Sequence, residues 1–249
     1  MRSTAGWQTR WLGLVEQLRL VPDVGARARL IDDLRQGEGP RIVAFANAHA
    51  LNMAAADQAF HRSLAESDIL LRDGVGVSIL LKVLGRRSGL NMNGTDLIPE
   101  ILRGFSGKRV ALLGTDEATL ATASDECTRR FGVDVVATLD GFRPEREYAD
   151  VVDRARPDLV VLGMGMPKQE KVAGLLADRS APGTVIVCGG AILDFLGGKV
   201  ARAPDVLRKV HLEWLYRLAL EPRRLFVRYV IGNPLFLARS VALGVARGR

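Results

Sequence analysis

The chain has 249 residues, 48% of them hydrophobic and 25% charged, an ordinary globular composition with room for one large domain and an appendage. Its two cysteines, Cys127 and Cys188, lie in apolar segments with no CxxC pair, which argues against a disulfide framework or a zinc site and fits a reducing cytoplasm. The net charge of +7 is concentrated at one end: from Ala201 onward ten Lys and Arg face three Asp and Glu, and the preceding residues balance.

Read in chain order, the first twenty residues lack an uninterrupted apolar core, so no signal peptide is expected. Short apolar runs then recur: RIVAFA (41–46), DILLR (68–72), RVALLG (109–114), DVVATL (134–139), DLVVLGMG (158–165) and TVIVCGG (184–190). Helical patterns separate them at 50–66, 96–105, 117–131, 145–155 and 169–179. Near-continuous apolar strands alternating with helices predict an α/β fold, a Rossmann-like parallel sheet covered on both faces. After Gly197-Gly198-Lys199 the pattern turns helical, aromatic and arginine-rich, punctuated by Pro204, Pro222 and Pro234. The expected division is a core over 1–200 and a basic helical appendage over 201–249. No run of about 18 apolar residues marks a membrane span; the best stretch, 225–246, is interrupted by Arg228, Pro234 and Arg239.

Ligands of parallel sheets gather beyond the carboxyl ends of the strands, which selects the candidate residues. Asn47 follows the first strand. Asp73 ends the second, where a carboxylate can take a proton from an attacking hydroxyl; an Asp-Gly turn with Asp73 capping the next helix is the plainer reading. Gly114 and Asp140 end the next two strands. In GMGMPKQE (163–170), Gly165 permits close approach of a ligand, Pro167 starts a helix, and the exposed amides of that turn suit a phosphate or a uracil carbonyl. Lys168 adds charge, and Gln169 and Glu170 offer hydrogen bonds. A simple strand-to-helix loop is the alternative. The third glycine of a dinucleotide fingerprint would fall at Lys168, and GGK at 197–199 lacks the hydroxyl residue of a P-loop. In GGAILDF (189–195), Gly189 and Gly190 can hold a phosphate on their amides, and Asp194 is either catalytic or a loop-fixing residue. Asn93-Gly94-Thr95-Asp96 reads as a loop and helix cap, with a ligand role as the alternative. The three histidines, His49, His61 and His211, lack metal-site spacing, and no Asp-x-Asp pair is present. If the substrate is a nucleotide-diphosphate sugar, its charge is therefore expected to meet helix dipoles and arginines instead of a metal. In the tail, Trp214, Tyr216, Phe226 and Tyr229 interleave with Arg217, Arg223, Arg224 and Arg228, as in a helix lying on an anionic membrane surface. A helix pair packed on the core with a solvated basic face is the alternative. Nucleic acid is disfavoured, because no recognition fold accompanies the charge.

DGVGV at Asp73, NGTDLIP at Asn93, LLGT at Leu112, LDGF at Leu139, PDLVVLGMGMPKQE at Pro157, CGGAILDFLGGKVARAP at Cys188 and LEWLYRLALEPRRLFVRY at Leu212 together resemble the WecG/TagA/CpsF glycosyltransferases. The resemblance implies an inverting, metal-independent hexosyltransferase that needs no cofactor. It implies transfer from a UDP-sugar to a polyprenyl-diphosphate-linked saccharide in cell-surface polysaccharide synthesis, at the inner face of the plasma membrane. Asp73 then maps to the base, Asn47 and Gln169 to donor contacts, and Arg217, Arg224 and Arg228 to the groups that complete the site over the diphosphate. Self-association is compatible with it. Phe45 stands where several members carry Thr, so the sugar identity is not carried over. The rival readings are a non-catalytic nucleotide-sugar-binding member of an assembly complex and a nicotinamide- or S-adenosylmethionine-dependent Rossmann enzyme.

Overall fold

The computed structural model describes residues 6–204, 206–207 and 213–247, the side chains of Arg224 and Arg247 excepted. His211 lies outside this range. Six strands form one parallel sheet: β1 (Arg41–Ala46), β2 (Ile69–Arg72), β3 (Arg109–Gly114), β4 (Asp134–Leu139), β5 (Leu159–Gly163) and β6 (Val185–Cys188). Their order is β2-β1-β6-β5-β3-β4, with every pairing parallel. The predicted α/β architecture is thus the one observed.

Side chains of successive strand residues point to opposite faces, and the core divides accordingly. Ile42, Ala44 and Ala46 of β1 lie on one face, with α1 (Trp7–Gln17), α3 (Ala48–Ala56), α4 (Gln58–Ala65), α5 (Gly74–Val83), α8 (Glu145–Ala155) and α9 (Lys168–Ala177). Val43 and Phe45 lie on the other, with α2 (Val24–Gln36), α6 (Gly94–Gly104), α7 (Glu117–Phe131) and α10 (Ile192–Leu196). Phe45 is buried there, its ring close to Gly94, so it acts as a core residue beneath the Asn93-Gly94 loop. The edge strand β2 is covered where Arg19 donates its backbone N–H to Leu70, with Leu18 bridging the same residue; covering an edge in this way blocks further strand pairing.

Local chemistry accounts for the departures from the predicted elements. The helix expected over 50–66 is two helices. Asp57 is extended (φ −118°, ψ 114°), and its carboxylate accepts from the N–H groups of Ala59 and Phe60, ending α3 and capping α4. Helices α1 and α2, ahead of β1, were not among the expected elements. The tail comprises α11 (Glu213–Leu220), α12 (Pro222–Phe226), a π-helical turn (Val227–Ile231) and α13 (Gly232–Arg247). Pro234 does not interrupt it. It falls in the first turn of α13, where its missing N–H is tolerated, directly after the wide turn. Val227–Ala246 is consequently long and apolar enough to cross a membrane by length and composition. One line of α13, Phe236, Ser240 and Leu243, is nevertheless buried against the core, between α3 and α5.

Trp11 couples this tail to the N-terminal helix. It is fully buried, donates to the Leu51 carbonyl (2.6 Å), and its ring lies 5.1 Å from that of Phe236. Trp11→Ala and Phe236→Ala are each expected to cost about 3–5 kcal/mol. Because the rings touch, the double variant should cost less than the sum, by roughly 0.5–1.5 kcal/mol, in urea unfolding followed by circular dichroism.

Candidate functional site

The pairing of β1 with β2 sets Ala46 opposite Arg72, so Asn47 and Asp73 leave the sheet side by side. Asn47 caps α3, its Oδ1 accepting from the Ala50 N–H (2.9 Å), while its Nδ2 donates to Asp73 Oδ2 (3.2 Å). Asp73 holds the cap position of α5 but makes no capping bond. Its carboxylate is instead turned toward Asn47 and the crevice, at a partly exposed mouth. Removal from water pushes its pKa above the ordinary carboxylate range; the Asn47 hydrogen bond and the nearby Arg228 and Arg72 charges oppose this, and Asp96 reinforces it. Such a group combines a basicity above that of a free carboxylate with cations that keep its ionised form accessible.

Two residues that sequence reasoning did not single out fix this turn. Arg72 is buried and spends its guanidinium on three carbonyls, those of Ser88 (2.7 Å), Gly89 (2.9 Å) and Gly74 (3.2 Å). Asn91 accepts from the Gly74 N–H (2.8 Å), and Gly74 adopts φ 85°, a left-handed conformation suited to glycine. The available signal was an arginine closing an otherwise apolar strand, LLR, before an Asp-Gly pair.

The tail arrives over the same strand ends. Asn52 of α3 donates to the Gly232 carbonyl (2.7 Å) and accepts from Arg239 (2.9 Å), which places the π turn beside the start of α3. Arg228, from that turn, acts electrostatically on both His49 and Asp73. Its buried Nε has no hydrogen-bond partner among the described residues. Burial, then the Arg228 charge, lowers His49 to about 4, so this imidazole is neutral at physiological pH. Arg217, from α11, stacks on Phe195 of α10 (5.1 Å) and approaches Glu221 (3.4 Å), with a buried Nε that also has no hydrogen-bond partner among the described residues. The Arg224 side chain lies outside the described residues.

The remaining candidates line the other strand ends, mostly as braces between loops. Gln169 is buried: its Oε1 accepts from the Gly190 N–H (2.9 Å) and its Nε2 donates to Glu170 Oε1 (2.9 Å). Lys168 reaches across to the Gly141 and Arg143 carbonyls (2.8 and 3.0 Å), tying the β5 loop to the β4 loop. Asp140 pairs with Arg143 (2.6 Å) and accepts from the Phe142 N–H; the Arg143 bond holds its pKa low. Asp194 accepts from the Thr115 hydroxyl (2.5 Å). Gly114 and Gly189 answer to packing, since an added Cβ would meet Gly163 backbone at 2.4 Å and Ile192 at 2.5 Å. Gly165 (φ 76°) and Gly190 (φ 61°) differ: nothing lies within 4 Å of such a Cβ, so their backbones are left-handed and open to a ligand. Pro167 immediately precedes α9, after a cis peptide bond. A cleft of about 940 Å³ opens beyond it, beside Asp57, Ser63, Arg143 and Lys171. That cleft touches neither Asp73 nor Asn47.

Comparison with known proteins bears on this arrangement directly. Residues 19–248 match the model of the glycosyl transferase WecG/TagA/CpsF family. The chain belongs to this family. Curated relatives carry the name N-acetylglucosaminyldiphosphoundecaprenol N-acetyl-β-D-mannosaminyltransferase. The one from Bacillus spizizenii is 32% identical over 165 residues, covering 65% of this chain and 64% of the relative, just under two thirds of its length. The one from Bacillus subtilis is 27% identical over 74% of this chain and 73% of the relative. One from Staphylococcus aureus is 28% identical over 72% of each.

In this WecG/TagA/CpsF chain the brace at Gln169 carries an electrostatic cost. Glu170 is buried, and its Oε2 lacks a hydrogen-bond partner among the described residues. Burial pushes its pKa from 4.5 to about 7, against the opposing hydrogen bonds from Gln169 and its own backbone. Burial, and then the Glu170 charge, raises the Cys188 thiol. Between these two values the folded state holds a proton that the unfolded chain has released, so stability falls as pH rises through that window. Glu170→Gln keeps an acceptor for Gln169 and removes the titration. Thermal unfolding should show the wild type losing roughly 2–4 kcal/mol relative to this variant between pH 4.5 and 7.5; parallel pH curves would contradict the assignment.

Proposed function

We propose that this chain moves a sugar, with inversion, from a UDP-sugar to a saccharide carried on a polyprenyl diphosphate, in cell-surface polysaccharide synthesis. The observation that carries the reading is the Asp73 carboxylate, held by Asn47 at the end of β2 with Arg228 beside it. The names of the relatives, whose acceptor is a sugar diphosphoundecaprenol, support the acceptor class.

In the proposed reaction the acceptor hydroxyl attacks the anomeric carbon from the face opposite the nucleotide. The new carbon–oxygen bond forms as the bond to the UDP oxygen breaks. Asp73 takes the hydroxyl proton, and UDP departs with the electron pair. Positive charge already in place where the diphosphate develops charge lowers the barrier without reorganisation. Arg228 and Arg217, each with an Nε that has no hydrogen-bond partner among the described residues, supply it, Arg224 completes the set, and no metal is required. The surfaces left open at the Cα atoms of Gly165 and Gly190 face the nucleotide, and Gln169, which holds the Gly190 N–H, sets the distance between their loops. Phe226, Val227, Val230 and Ile231 are exposed next to these arginines, which supports a peripheral position on the inner, anionic face of the plasma membrane.

Asp73→Asn should lower kcat by about 10²–10⁴ and leave UDP affinity within a few-fold, in transfer assays over a panel of UDP-sugars, UDP-N-acetylmannosamine included, with a lipid-linked acceptor. Near-normal turnover in Asp73→Asn would exclude it as the base. In the wild type, kcat should fall as the pH drops through an Asp73 pKa above the usual carboxylate value.

A further inference from the structure

Helix α5 begins at Gly74, one residue after Asp73, and its two faces differ. Val77, Leu80 and Leu81 are fully buried, whereas Val75, Ile79 and Val83 are 42%, 40% and 40% exposed. The spacing i, i+4, i+8 places these three on one line, about 12 Å long at the rise of an α-helix. A core helix that leads away from the candidate base thus shows water a row of branched aliphatic side chains.

The row does not stand alone. Helix α13 runs beside α5 in the same direction: a Cβ on Gly76 would lie 3.3 Å from the Phe236 ring, and one on Gly244 would lie 2.4 Å from Val83. At 100° per residue, the buried line Phe236, Ser240 and Leu243 fixes the rotation of α13, and Gly244 marks the flank that meets α5. Leu237 and Val241 fall on that same flank and are exposed. The two helices therefore share one aliphatic strip, rigid because the opposite faces of both are packed into the core.

We infer that this α5/α13 strip seats the prenyl chain of the acceptor itself. The inference rests on the proposed reaction, in which the acceptor hydroxyl reaches Asp73. The chain is then tethered one saccharide and one diphosphate away from Asp73. It meets apolar surface at Ile79 and Val83 on α5 and at Leu237 and Val241 on α13, rather than water. Burying apolar surface on a preformed strip favours long chains over short ones, in proportion to the area covered.

Binding of a fluorescent heptaprenyl diphosphate to the full-length protein tests this without knowledge of the sugar. Val75→Ser/Ile79→Ser is expected to weaken it at least tenfold, and Ile79→Ser/Val241→Ser likewise. Affinity for UDP, which reports on folding, should be unchanged, as should co-sedimentation with phosphatidylglycerol vesicles. Heptaprenyl diphosphate affinity should also survive Asp73→Asn, so failure of the proposed base and failure of this strip give different results. The inference is overturned if the double serine variants bind heptaprenyl diphosphate as the wild type does. It is equally overturned if they lose vesicle binding alone, which would make the strip a bilayer contact.

Discussion

The register between β1 and β2 is the constraint from which the rest of the site follows. Val43 pairs with Ile69 and Ala46 with Arg72, and the Asp73 N–H still bonds the Ala46 carbonyl (2.8 Å). Asn47 and Asp73 emerge together for that reason alone. A slip of one residue would exchange the two faces of the strand, sending Val43 and Phe45 to the α3 side and breaking the Asn47–Asp73 contact. The register is secured from both faces by buried side chains, so the position of one carboxylate is backed by much of the hydrophobic core.

Helix α3 converts that position into a complete environment. Its cap residue Asn47 meets Asp73, its first turn carries His49 beside Arg228, and Asn52 one turn later grips the tail at Gly232 and Arg239. A neutral His49 leaves Arg228 without a charged competitor there and therefore free to act on Asp73. Trp11 against Phe236 adds apolar burial to the same junction. The tail is thus anchored beside Asp73, on which Arg228 acts electrostatically, while Arg217 lies over the Phe195 ring.

Much of this was legible in the sequence because parallel strands buried on both faces are nearly continuous apolar runs. β1, β3, β4, α7 and α8 lie where the runs and caps predict them. Asn47 and Asp73 were legible for a related reason: they are polar residues at strand ends, where side chains face the crevice. What escaped was long-range. Trp11, Leu14, Val15 and Leu18 have helical spacing, but their role appears only once Leu70 and Phe236 are beside them. The partners of Gln169 and Lys168 lie on other loops, so the sequence shows hydrogen-bonding capacity without showing that it is used between loops. Asp57 lies inside the predicted 50–66 helix, but its side chain offers the following amides a cap, an alternative to continuing the helix that the apolar pattern does not register.

The π-helical turn at Val227–Ile231 has a consequence for how the tail serves two surfaces at once. Arg228 and Phe236 are eight residues apart, which in an uninterrupted α-helix would set their directions about 80° apart. A π turn closes around one extra residue, with the Gly232 N–H bonding the Val227 carbonyl. The separation then counts as seven α-helical steps, and the two side chains point within about 20° of each other. The guanidinium aimed at the crevice and the aromatic ring seated beside Trp11 can therefore face the same side of one helical rod. By the same count, deleting one residue and closing the turn as ordinary α-helix would keep the two side chains about 20° apart, whereas straightening the turn with all its residues retained would swing them about 80° apart.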